Sequence, residues 1–181
     1  HIVEELIEYG RPFNLGIDAG SKPELLVALA LQDNPEALIL CNGYKDRAYI
    51  ETAMLAQKLG RQIIIIMDRM GELETILTCA RDLEVRPVLG VRARLATKGA
   101  GKWIESAGDR SKFGLTTAEI VTTVERLRQE DMLDCLQLLH FHIGSQITNI
   151  RAVKDALRES SRIFVELHAL GANMPFLDCG G

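Results

Sequence analysis

The feature that most constrains this chain is a rhythm. Short apolar runs stand at Leu15–Asp18, Ala37–Cys41, Gln62–Met67, Pro87–Val91, Cys135–Ile143 and Pro175–Cys179, with helical patterns between them. Continuous rather than alternating runs suit strands buried on both faces, the condition of parallel sheets. The first four runs lie about 25 residues apart, the size of one βα unit. The intervening stretches carry helix signals. Ser21-Lys22-Pro23-Glu24 and Thr116-Thr117-Ala118-Glu119 read as capping boxes, the second ahead of Ile120, Val121, Val124 and Leu127. Tyr49, Ala53, Met54, Ala56 and Leu59 follow a 3.6 period, as do Leu73, Ile76, Leu77, Ala80 and Leu83. Asn149 opens the last long helix, whose Ile150, Val153, Leu157, Phe164 and Leu167 lie broadly on one face. The fold class expected is α/β.

Composition narrows the partners. The 181 residues are 47% apolar, enough to order the chain by core burial, and carry a net charge of −4. Mild acidity without a basic run argues against a nucleic-acid or anionic-membrane partner. Apolar runs such as Ile63–Met67 are far too short to cross a bilayer. The beginning His1-Ile2-Val3-Glu4-Glu5 lacks the pattern of a signal peptide. Cys41, Cys79, Cys135 and Cys179 are scattered with no Cys-x-x-Cys pair, which reads as free thiols in a reducing cytoplasm.

Two parallel architectures fit the rhythm, a doubly wound sheet and a (β/α)8 barrel. No Gly-x-Gly-x-x-Gly follows the first run, so a dinucleotide-binding unit is disfavoured. Polar and glycine residues instead follow nearly every run: Asp18-Ala19-Gly20-Ser21, Asn42-Gly43-Tyr44-Lys45-Asp46, Asp68-Arg69, Arg92-Ala93-Arg94, His142-Ile143-Gly144-Ser145-Gln146 and Asp178-Cys179-Gly180-Gly181. A barrel gathers its active site from such strand ends, but needs eight strands and about 250 residues. Six runs therefore predict a partial barrel. The longest connection, Arg94 to Lys112, contains Gly99, Gly101 and Gly108 and has the length of a functional or mobile segment.

The chemistry concentrates in Leu138-Leu139-His140-Phe141-His142-Ile143-Gly144-Ser145-Gln146. On a strand, His140 and His142 share a face, and Ser145 lies just past the strand end. Three readings stay open. An imidazole can lie flat against a cofactor ring while the Gly-Ser turn donates to a phosphate. The His-x-His pair can instead hold zinc, as in metal-dependent barrel hydrolases, with Asp18, Asp68 or Asp178 as a further ligand. Or the two histidines simply line a packed barrel. Gly180 and Gly181 let backbone amides approach an anion, or form an ordinary turn. Arg92 can meet a carboxylate or a cofactor edge bidentately, or make a surface ion pair. Asp18 can orient an amine or a lysine, or serve as a local turn residue.

Taken together the motifs resemble a known family. Gly16-Ile17-Asp18-Ala19-Gly20-Ser21-Lys22-Pro23-Glu24-Leu25, Cys41-Asn42-Gly43-Tyr44-Lys45-Asp46, Gly90-Val91-Arg92-Ala93-Arg94-Leu95, Ser111-Lys112-Phe113-Gly114-Leu115, the His-Phe-His-Ile-Gly-Ser-Gln block and Leu177-Asp178-Cys179-Gly180-Gly181 are similar, in order and over the whole chain, to the biosynthetic arginine decarboxylases. These are pyridoxal-phosphate (PLP) enzymes of the alanine-racemase-like barrel class. Ornithine and diaminopimelate decarboxylases share the His-x-Gly-Ser theme and less of the rest.

The resemblance implies decarboxylation of L-arginine to agmatine and CO2, a step of polyamine biosynthesis, by a cytoplasmic enzyme that is at least a dimer. Magnesium accompanies the family. His142 should stack on the PLP ring, and Ser145, Gly180 and Gly181 should bind its phosphate. Arg92 should stand near the cofactor, Asp18 near the Schiff-base lysine, and Lys112 and His140 at the substrate mouth. The family's lysine motif, of Tyr-x-x-Lys-x-Asn type, does not occur here. Lys22, Lys45, Lys98 and Lys102 do not match it. Residues 1–181 thus read as a PLP-binding barrel domain incomplete at both ends, lacking the C-terminal β-domain. A binding module that keeps the cofactor without the lysine is the rival reading.

On this reading the 181-residue chain alone forms no borohydride-reducible PLP adduct and releases no agmatine. An open six-stranded sheet also exposes two edges, so the isolated chain should aggregate rather than melt sharply as a monomer. Reduction with borohydride followed by mass analysis, and a thermal melt, check both expectations.

Overall fold

The computed structural model describes residues 1–96 and 113–180. Each expected strand is present, alternating with helices: α1 (Ile2–Gly10), β1 (Ile17–Ala19), α2 (Lys22–Leu31), β2 (Leu38–Cys41), α3 (Arg47–Lys58), β3 (Gln62–Met67), α4 (Gly71–Leu83), β4 (Leu89–Arg92), α5 (Thr117–Gln129), β5 (Leu136–His142), α6 (Ile150–Ala169) and β6 (Phe176–Gly180). The chain divides into two compact units, His1–Ile66 with Gly71–Val88, and Met67–Met70 with Leu89–Gly181.

In the first unit β1, β2 and β3 pair in parallel, in chain order. Ala19 stands beside Cys41, and Cys41 beside Ile65. Residues Ile63 to Met67 are all essentially without solvent contact, as the unbroken apolar run requires of a strand covered on both faces. The four successive isoleucines are stiff at χ1 and favour the extended backbone. Tyr49, Ile50, Ala53 and Met54 of α3 and Leu73, Ile76 and Leu77 of α4 complete this core. Leu59, read as part of the α3 face, is instead 85% exposed just past the helix end. Helix α1 is not among the expected elements. Its Ile2, Val3, Leu6 and Ile7 recur at helical spacing, yet only Ile7 is buried, and Ile2, Val3, Leu6 and Tyr9 are exposed.

In the second unit β4, β5 and β6 pair in parallel, again in chain order. Leu136, Leu138, Leu139 and Phe141 of β5 are buried along with Ile120, Val124 and Leu127 of α5. Helix α6 buries a stripe that keeps Leu167 of the expected face but is otherwise shifted to smaller residues. Ala152, Ala156, Ser160 and Leu167 are buried, whereas Ile150 is 67% exposed. Small side chains at i, i+4 and i+8 let the helix backbone approach the strand closely, and the larger residues flank that contact.

The two expected capping boxes differ. At α5 the box is reciprocal: Thr116 Oγ1 accepts from Glu119 N at 3.3 Å, and Glu119 Oε2 accepts from Thr116 N at 2.7 Å. At α2, Ser21 Oγ accepts from Glu24 N, but Glu24 Oε2 reaches one residue further back, to Gly20 N at 2.7 Å. All four cysteines are free, and only Cys179 is exposed.

Thr116→Ala should cost about 1 kcal/mol in chemical denaturation, the usual worth of an N-cap. The Thr116 amide donating to Glu119 holds that carboxyl below its ordinary range in the folded state. Its stabilisation is therefore present at neutral pH and lost as pH falls through that lowered value. The stability gap between the native chain and Glu119→Gln should close on acidification, as denaturation curves at neutral and acid pH will show.

Candidate active site

Register builds the site in the second unit. Arg92 on β4, His140 on β5 and Asp178 on β6 are direct cross-strand partners, forming one row. Two residues further along β5, His142 partners Gly180. A two-residue step returns to the same face of a sheet, so the second row lies directly above the first. The sequence placed His140 and His142 on one face. The pairing adds Arg92, Asp178 and Gly180 to it.

The lower row is held by charge. Arg92 Nη1 lies 3.0 Å from Asp68 Oδ1, and that carboxylate is 2% exposed. The Arg92 guanidinium also stands 5.2 Å from the centroid of the Phe113 ring, in range for a cation–π contact. Phe113 is kept there by the backbone. Leu115 N donates to Arg92 O at 2.7 Å, Arg94 N donates to Leu115 O at 2.8 Å, and Arg94 Nη2 donates to Gly114 O. His140 is buried, with Nδ1 2.7 Å from Asp178 Oδ2. That oxygen stands off the direction of the ring N–H, so the contact is electrostatic and Nδ1 lacks an aligned hydrogen-bond partner.

The upper row is open where the lower is filled. His142 is half-buried, and Ser145 is exposed beyond the strand end. A Cβ on residue 180 would fall 2.8 Å from His140 Cε1 and 3.0 Å from His142 Nδ1. Real Cβ atoms do not approach ring atoms so closely, so glycine is what lets β6 pass beside both imidazoles.

Asp18 belongs to the first unit, where it is the middle residue of β1 and accepts from Asn42 Nδ2 at 2.8 Å. Lys45, on the loop after β2, is completely buried against Glu72, Nζ to Oε2 3.1 Å. Lys112 and Gly181 lie outside the described residues. Neither the Asp68–Arg92 contact nor the Lys45–Glu72 pair could be inferred from pattern. Each joins residues 24 or more positions apart, and a lysine in a polar loop ordinarily reads as solvent-exposed. Phe113 carried a signal only as part of its motif.

Two further observations bear on chemistry. Among the described residues no group of three or more His, Cys, Asp or Glu side chains could hold a metal ion, so the His140–His142 zinc reading finds no further ligand there. An apolar cavity of about 380 Å³ lies along β5, β6 and α6, walled by Phe141, Ile143, Ile147, Val153, Leu157 and Cys179. It offers oily surface and a single thiol, and neither His140 nor His142 lines it. No helix among the described residues is long and apolar enough to cross a membrane.

Comparison with known proteins aligns with this geometry. The family described as pyridoxal-dependent decarboxylase, pyridoxal binding domain, matches residues 1–181. The chain is 55% identical over 181 residues to a biosynthetic arginine decarboxylase of Nostoc sp., covering 100% of this chain and 27% of that protein. It is 52% identical over 180 residues to that of Phocaeicola vulgatus, covering 99% of this chain and 29% of the relative. The crystal structure of the biosynthetic arginine decarboxylase from Campylobacter jejuni superposes with a TM-score of 0.86 at 36% identity, over 97% of this chain and 27% of the other. Diaminopimelate decarboxylase from Helicobacter pylori shares the fold, with a TM-score of 0.80 at 23% identity over 96% of this chain and 43% of that one. The α/β class and the partial barrel expected from the strand rhythm are the fold these structures have in common with the chain.

Gly180→Ala should drive the added methyl group into the two imidazoles. The expected cost is about 1–3 kcal/mol from overpacking. The Cε1–H resonances of His140 and His142 should shift, while that of His168 on α6 stays in place.

Proposed function

The chain belongs to the pyridoxal-dependent decarboxylase family, and from that premise we propose that it forms the cofactor-binding barrel of an enzyme converting L-arginine to agmatine and CO2. The observation that carries the substrate is the 55% identity, over the whole chain, with the Nostoc arginine decarboxylase. The likeness to diaminopimelate decarboxylase supports the fold alone. The chain spans 27% of the length of that Nostoc relative, so the activity is proposed for the complete protein.

The residues present fit pyridoxal phosphate. A half-buried imidazole at His142, beside Gly180 with no Cβ to crowd it, offers a flat face to an aromatic ring. The exposed Ser145 hydroxyl and the Gly144 backbone beyond β5, with Gly180 at the last position of β6, suit a phosphate. Bound there, the cofactor supplies a sink for the electron pair left behind when CO2 departs. In this reading His142 orients the ring, while Ser145 with Gly180 and Gly181 holds the phosphate. Arg92, fixed by Asp68 and Phe113, keeps a positive charge at the cofactor edge. Asp18 holds an amine in place from the first unit. Lys112 and His140 attend the substrate, His140 from a buried position set by Asp178. The enzyme is further proposed to be cytoplasmic and at least dimeric, with magnesium as an accompanying ion.

The complete protein, incubated with PLP, should release agmatine and CO2 from L-arginine and turn over ornithine and diaminopimelate far more slowly. His142→Ala should lower kcat roughly 10²-fold, the scale of a misplaced reacting group. Product analysis by mass spectrometry tests the reading. Preference for ornithine or diaminopimelate would overturn the arginine assignment.

A further inference from the structure

We propose that the buried Lys45–Glu72 pair is the positioning device for the Asp18 carboxylate, acting through Asn42. This rests on the reading of Asp18 as a residue of the active site. The pair is the most thoroughly buried ion pair among those described: the Lys45 side chain is 0% exposed and that of Glu72 3%. A pair so placed needs a reason, because desolvation offsets most of its attraction and apolar side chains of similar volume usually stabilise as well or better. What such a pair can supply is a defined geometry.

Here the geometry leads to Asp18 through an unbroken series of contacts. Glu72 sits in the first turn of α4 and holds Lys45 twice. Oε1 accepts from the Lys45 backbone N at 3.0 Å, and Oε2 lies 3.1 Å from Nζ. Nζ then turns back and donates to Gly43 O at 2.5 Å, so the ammonium that Glu72 holds closes the Gly43–Lys45 segment on itself. Gly43 has a φ of +70°, and a Cβ there would fall 2.3 Å from Gly20 O, so the tied segment lies directly on the end of β1. The residue before it makes the last link. Asn42 N donates to Ala19 O at 2.9 Å, and its side-chain Nδ2 donates to Asp18 Oδ2 at 2.8 Å.

Asp18 has need of such support. It lies on a strand of only three residues and is itself exposed. Its direction is set by an amide whose own backbone is fixed by Gly43 and Lys45. Lys45 and Glu72 lie within the unit that carries Asp18. They are positioning residues.

The test uses the complete protein with PLP bound, in four variants: Lys45→Met/Glu72→Leu, Asn42→Ala, the combination of the three changes, and Asp18→Asn. The apolar double replacement should leave far-UV circular dichroism unchanged and the denaturation midpoint equal or higher. It should still lower kcat roughly 10²-fold with KM little changed. In protein labelled with 15N-asparagine, the Asn42 side-chain amide signal should move toward that of a free amide, a readout that needs no turnover. Asn42→Ala should reproduce the loss of kcat, and the triple variant should be no worse than either, because the residues act in series. Losses that multiply in the triple variant would overturn the proposal. So would a double variant that keeps both kcat and the Asn42 signal while Asp18→Asn loses activity. If Asp18→Asn itself keeps full kcat, the reading of Asp18 fails, and the positioning role fails with it.

Discussion

Parallel pairing in fixed register is the constraint on which the second unit's chemistry depends. Side chains alternate faces along a strand, so a slip of one residue between β5 and β6 would send Asp178 and Gly180 to the opposite face from His140 and His142. On β5 the facing is secured from the other side, where Leu139 and Phe141 are buried, so apolar burial determines where His140 and His142 fall. On β6 Leu177 and Cys179 are exposed, and backbone pairing with β5 sets where Asp178 and Gly180 fall. The polar contacts of the lower row then reinforce the arrangement, with Asp68 against Arg92 and Asp178 against His140.

Two kinds of rigidity meet in this chain. The strands hold their functional residues by backbone pairing and need little help from side chains. The loops cannot. Loop residues such as Asn42 and Phe113 are fixed by specific contacts: a buried carboxylate reaching back from α4 in one unit, a short parallel bridge beside β4 in the other. A site assembled from strand ends and the loops after them inherits its precision from both sources.

The strands were legible because each lies in a short, largely apolar run, and β3 spans the very residues the run predicts. Helices α3, α4 and α5 were legible for the same reason, since their apolar residues recur at the helical period. The stripe on α6 was misread because burial there selects small residues. Alanine and serine contribute little to a hydrophobic pattern even when they make the closest contact. The site was legible in part. His140, His142 and Ser145 stand together in one block, and strand periodicity relates them. Asp68, Asp178 and Glu72 take their significance from neighbours far away in the chain, which no local pattern encodes.

The stripe of Ala152, Ala156 and Ser160 divides the surface of α6 by how freely it can change. These small side chains are buried, so larger replacements there are expected to overpack although the positions look unremarkable. On the far side Val165 is 63% exposed and Ile150 67%, and almost any soluble side chain would serve. A helix that appears conserved by its large residues would thus be expected to drift at those positions and to stay constant at its smallest ones.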